Sequence, residues 1–106
     1  MPPVDKTPLD IAIEAAATLP GVESGIGHIA RVCGTSRQFV NKMRRQWRAT
    51  GAAPRALREY APSIEAALGG RVRADDLCPD VAWHRDTDGR ITHYAVPVQV
   101  EASHAA

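Results

Sequence analysis

The stretch from Gly25 to Trp47, GIGHIARVCGTSRQFVNKMRRQW, leaves a chain of this kind few ways to fold. Ile26, Ile29 and Ala30 recur at the spacing of one helical face, and Val32 and Cys33 close that segment. Gly34 follows, a residue that takes positive φ at a helix C-terminus without penalty. Ser36 is a strong N-cap, and Phe39, Val40 and Met43 resume the helical spacing behind it. Two helices are therefore expected, over about Ile26 to Cys33 and about Arg37 to Trp47. With so few residues between them they must cross at a steep angle, and Ala30 is small enough to let them touch. That is the geometry of a helix-turn-helix.

The residues that make this geometry also carry a resemblance. A small Ala, a Gly four residues on, a Ser two later and a β-branched Val four after that are here Ala30, Gly34, Ser36 and Val40. The pattern is similar to that of phage repressors and Cro proteins. Pro54 and the run YAPSIEAALGGRVRADDLCPD, Tyr60 to Asp80, extend it. They resemble the distal half of the Cro-like/YdaS-like family, with its Pro-rich turn, Ile-Glu pair, Gly-Gly and Leu-x-Pro-Asp ending. Residues 7 to 80 are covered. The chain departs from the family at Ile26, where Gln is common, and beyond Asp80. The resemblance implies a mainly α, lambda-repressor-like bundle of about five helices. It also implies a phage or prophage Cro-like repressor that binds double-stranded DNA at a palindromic operator.

Charge agrees with a nucleic-acid partner once it is read locally. The net charge of +1 conceals a run from His28 to Arg58 with eight basic residues and no acid: Arg31, Arg37, Lys42, Arg44, Arg45, Arg48, Arg55 and Arg58. Acids dominate on both sides of it. Near-neutrality of the whole chain therefore argues nothing against DNA.

Before the central stretch, Thr7, Pro8 and Asp10 read as a helix start. Leu9, Ile11, Ala12, Ala15, Ala16 and Leu19 form its apolar stripe, and Pro20-Gly21 ends it. After it, Pro54 opens a fourth helix bearing Leu57 and Tyr60. Pro62 lacks a backbone donor and disfavours helix at Ala61, so a bend or restart is expected there, with Ile64, Ala67 and Leu68 packing as a fifth helix. Gly69-Gly70 stops that helix, and Asp75 to Cys78 adds at most one turn, anchored by Val72 and Leu77. Residues 1–80 thus form the helical DNA-binding domain. In residues 81–101 the period changes to two. Val81 to Arg85 and Arg90 to Val96 flank Asp86-Thr87-Asp88-Gly89, a strong hairpin signal. Residues 102–106 are expected to be a disordered tail. An isolated hairpin is marginal in water, so this one must cover the core, pair with a second chain, or both. A homodimer interface through Trp83, Tyr94, Val96 and Val98 is the expectation carried forward.

In a helix-turn-helix the N-terminal residues of the second helix meet base edges. Ser36, Arg37, Gln38, Asn41 and Lys42 occupy those positions. Gln38 and Asn41 suit adenine, and Arg37 or Lys42 suits guanine. Phe39 either packs on a thymine methyl or covers a neighbouring helix. Thr35, Arg44, Arg45 and Arg48 are expected at phosphates, which orient the protein without reading sequence. Two copies reading successive grooves need half-sites about 34 Å apart.

Other functions find little support. His28, His84, His93 and His104 with Cys33 and Cys78 lack paired metal-ligand spacing, so no metal is expected. Gly25-Ile-Gly27 lacks the strand and third glycine of a dinucleotide site, and Asp75-Asp76 reads as a helix start. No enzyme activity and no cofactor are expected. No apolar run approaches the roughly 20 residues that span a bilayer, and the opening residues lack a secretory apolar run. The expected setting is the cytoplasm, with both cysteines free and buried. The rival reading is an antitoxin, whose tail binds a toxin protein while the helix-turn-helix represses its own operon. A helix-turn-helix that serves only protein interaction fits poorly with so many unopposed arginines.

Overall fold

Local chemistry sets the ends of the helices. Thr7 caps the first: its Oγ1 accepts from the Asp10 N–H at 3.2 Å, and Asp10 Oδ2 accepts in return from the Thr7 N–H at 2.9 Å. Ser24 caps the second through the Gly27 N–H at 3.1 Å, and Ser36 the third through the Phe39 N–H at 3.1 Å. Gly34 stands between them at φ 68°, ψ 33°. Its N–H donates to Arg31 O and the Thr35 N–H to Ala30 O, which satisfies the last carbonyls of the second helix.

The computed structural model describes residues 6–96. The order is α1 (Pro8–Ala17), α2 (Gly25–Cys33), α3 (Arg37–Thr50), α4 (Leu57–Ala67), α5 (Ala74–Leu77), β1 (Ala82–Arg85) and β2 (Ile91–Ala95). The protein is thus mainly helical with a two-stranded antiparallel sheet near its C-terminal end. Val98 and the tail expected from residue 102 lie outside the described residues. Among those described, no helix is long and apolar enough to cross a membrane.

One expectation is corrected. Pro62 does not divide two helices; it lies inside a continuous α4. The chain enters this helix through tighter bonds of three-residue span, from Leu57 to Pro54, Arg58 to Arg55 and Glu59 to Ala56. The donor that Pro62 lacks affects a single ladder bond. Against that loss, Leu57, Ala61, Ile64 and Leu68 form one stripe buried to within 2% of full enclosure. Burial of that stripe, at about 25 cal/mol per Å² of apolar surface, outweighs one missing bond.

The core joins Leu9, Ala12 and Ala16 of α1 to Ile29 and Ala30 of α2, and Val40, Met43 and Trp47 of α3 to the α4 stripe. Leu77, Cys78 and Val81 close it beneath the sheet. At the α1–α2 crossing the contact is backbone to backbone. A Cβ built on Gly25 would collide with the Ile13 carbonyl oxygen, so no other residue fits there without movement. Cys33 is half-buried and Cys78 fully so, and both are free thiols as expected. Burial pushes Cys33 up to about 11 and Cys78 up to about 12, which keeps both protonated and unreactive.

The hairpin pairs Ala82 with Ala95, Trp83 with Tyr94 and His84 with His93, and a bulge follows at Arg85. Asp86 shapes its turn: Oδ1 accepts from the N–H groups of Asp88 and Arg90, both at 2.9 Å, and Gly89 takes φ 84°. The hairpin covers the helical core. Trp83 Nε1 donates to Cys78 O at 3.1 Å, and Trp83 and Ile91 pack on buried residues. Arg85 reaches across to Glu65 of α4 at 2.7 Å and to Asp75 of α5 at 2.6 Å. Glu65 also accepts from the Ala74 N–H, so one carboxylate binds α4, α5 and β1 together.

Candidate nucleic-acid interface

The helical repeat gives α3 three kinds of side. Val40, Met43 and Trp47 face the core. Arg44 and Arg48, one turn apart, face α1. Gln38, Lys42 and Arg45 face outward, exposed, with Asn41 half-buried at their margin.

The side facing α1 is closed by a single acid. Asp10 is 3% exposed. Arg44 Nε donates to its Oδ1 at 2.7 Å, and Arg48 donates through Nη2 to Oδ1 at 2.8 Å and through Nε to Oδ2 at 3.2 Å. Burial works to raise the Asp10 carboxyl. The Thr7 N–H, the two guanidinium groups and the Thr7 hydroxyl more than reverse it, and the carboxyl is held at about 2. Arg44 and Arg48, expected at phosphates, are therefore paired with Asp10, where they seat α3 on α1, although Arg48 keeps 42% of its side chain exposed. Arg44 also donates through Nη1 to Asn41 Oδ1 at 3.1 Å.

The outward side differs. Gln38, Lys42 and Arg45 have no hydrogen-bond or ion-pair partner among the described residues. Ser36 is exposed at the head of α3; its Oγ accepts from the Phe39 N–H and keeps its own hydrogen to donate and a second lone pair. Thr35 is half-buried in the turn. Phe39 does not face outward: its ring meets Tyr60 of α4 edge-on, centroids 6.3 Å apart. Arg58 pairs with Asp80 at 2.7 Å. Of the basic run this leaves Arg31, Arg37, Lys42, Arg45 and Arg55 with no acidic partner among the described residues.

Two of these meet at a feature the sequence reading passed over. Arg37 leans back over α2, its Nη2 2.9 Å from where a Cβ on Gly27 would sit. It forms one wall of an open polar cleft of about 340 Å³ whose floor is the turn at Val22–Ser24 and the first turn of α2, with His28 and Arg31 on the rim. The signal in the sequence was Ser24 three residues before Gly27, a cap that places the start of α2 one residue earlier than its apolar pattern suggests.

The expected interface residues of the hairpin divide. Trp83 is half-buried and stacks at a tilt on Tyr94, centroids 5.1 Å apart. Tyr94 is 40% and Val96 51% exposed, large apolar groups left in water on β2 and just beyond it. Val98 lies outside the described residues.

Comparison with protein-family models, with curated proteins and with solved structures returned no match to this chain.

Proposed function

We propose that the chain is a sequence-specific double-stranded DNA-binding regulator of the Cro-like repressor kind, a lambda-repressor-like bundle that lays α3 in the major groove and acts by occupancy, without catalysis, in the cytoplasm. The observation that carries this reading is the division of labour on α3. Arg44 and Arg48 share one buried acid, while its outward side holds Gln38, Lys42 and Arg45 with no acid and no internal partner among the described residues. A helix that served packing alone would have no use for an unopposed polar face of that composition. In this reading Gln38 pairs with adenine and Lys42 with guanine. Arg45 and Arg55 meet phosphates, and Arg31 and Arg37 hold one more at the cleft beside the α2 N-terminus, where backbone N–H groups favour an anion. Arg44 and Arg48 serve the seating of α3 instead.

A second copy pairs along β2, burying Tyr94 and Val96 and placing two α3 helices on successive grooves. Selection of bound duplexes from a random library, followed by fluorescence anisotropy against a scrambled duplex, tests the whole reading. A palindromic winner preferred about a thousandfold is expected, with Gln38→Ala losing most of that preference. Binding without any preferred sequence would overturn it. Sedimentation of Val96→Asp tests the dimer: an unchanged mass would remove β2 from the interface and favour a toxin or other protein partner for this surface.

A further inference from the structure

We propose that His84 and His93, on the outer face of the hairpin, form a chelating site for one divalent transition-metal ion of tetragonal preference, Cu2+ or Ni2+. The site stands apart from α3 and does not depend on the DNA-reading function above. The two residues are far enough apart in the chain to show no metal-ligand spacing. The β1–β2 register makes them directly opposite neighbours. The adjoining pair, Trp83 with Tyr94, lies on the core side, where Trp83 bonds Cys78 O. The two-residue period of a strand therefore puts the histidines on the other face. There both are exposed, and their rings stack with centroids 4.4 Å apart and planes 8° from parallel. Ala82 and Ala95, the next pair on that face, are too small to crowd them.

Thr92 sets which nitrogen of His93 is available. Its Oγ1 lies 3.1 Å from His84 O and 3.0 Å from His93 Nδ1. A hydroxyl has one hydrogen and a backbone carbonyl only accepts, so that hydrogen goes to His84 O. His93 Nδ1 is then the donor to Oγ1, which leaves the lone pair of the neutral ring on Nε2, the nitrogen farther from the backbone. A hydrogen bond at the opposite nitrogen is how a ligating imidazole is oriented. The ring of His84 has no hydrogen-bond partner among the described residues. Metal–nitrogen bonds of about 2 Å place adjacent ligand nitrogens about 3 Å apart, so a shared ion requires the stacked rings to tilt toward each other. Both are exposed and can turn about χ2. Among the described residues no group of three His, Cys, Asp or Glu could hold a metal. Zinc sites draw three or four ligands from the protein. Two imidazoles with water in the remaining positions suit tetragonal Cu2+ or Ni2+ instead. Once both bonds form, the ion ties β1 to β2.

The test uses the full chain carrying His28→Gln and His104→Gln, which leaves His84 and His93 as its imidazoles. Ni2+ and Cu2+ are titrated into it by calorimetry, and then into the same chain with His84→Gln or His93→Gln added. Thermal melts confirm that each variant folds, as expected for exposed positions. The second bond of a chelate forms within the molecule. One equivalent of ion is therefore expected to bind, and either added substitution should weaken binding by about tenfold or more. Trace Cu2+ should also broaden both ring signals together in NMR spectra. Two independent imidazoles would instead keep their affinity and lose half their stoichiometry when one is removed. That result overturns the inference, as does broadening of one ring alone or an affinity no higher than that of free imidazole.

Discussion

Asp10 ties a helix cap to the seating of another helix, and its protonation state is open to measurement. Its folded pKa is about 2, against an unfolded value near 3.9. A depressed acid contributes stability that is complete above the unfolded pKa and is lost as pH falls through the folded one. Stability should therefore drop by about 2 kcal/mol between pH 4 and pH 2 through this residue. Asp10→Asn should cost about 3 kcal/mol at neutral pH, because two guanidinium groups lose their shared acceptor. Urea titrations at stepped pH values should show that part of the acid dependence missing from the variant. Gly25 makes a different demand, on space. Gly25→Ala drives a Cβ into the α1 backbone, which no rotamer change relieves. A loss of about 2 kcal/mol is expected in thermal melts, although alanine is the better helix former.

Among the elements, the hairpin depends most on one side chain. Arg85 joins β1 to α4 and α5 through Glu65 and Asp75, and it holds both carboxyls below the usual carboxylate range. Arg85→Met removes the cation that Glu65 and Asp75 share, leaving only Arg73, 4.0 Å from Asp75. It should cost about 2 kcal/mol and expose the Asp86–Arg90 turn to limited proteolysis before the helices are cut. The elements also show where sequence reading succeeds. α2, its turn and α3 were legible because Gly34 and Ser36 act within a few residues of themselves. The Asp86 to Gly89 turn was legible for the same reason. Pro62 was misread because the rule applied there was local, whereas the burial that overrides it comes from α2 and α5. Asp10 was legible as a first-turn acid, but not as the partner of Arg44 and Arg48, more than thirty residues away. A linear reading does not show which side of α3 meets Asp10, and so two arginines were assigned to phosphates that the fold pairs with that acid.

For the whole molecule, that reassignment changes the charge available to a polyanion. The run from His28 to Arg58 has eight cations, yet Asp10 takes two and Asp80 one. Counterion release follows the cations that meet phosphate, at about 0.9 per contact. The slope of log affinity against log salt should thus be about −4 to −5 per subunit, rather than the value near −7 that the full run implies. Anisotropy titrations at a series of salt concentrations measure it directly.

The bare backbone contact at Gly25 has a consequence in time. Where side chains separate two helices, a rotamer change can loosen one without the other. At Gly25 no side chain intervenes, so there α1 and α2 part only if the core they share opens with them. Their central amides should exchange hydrogen with solvent together, at the slow rate of global opening. Those of β2, with most of its side chains in water, should exchange well before them.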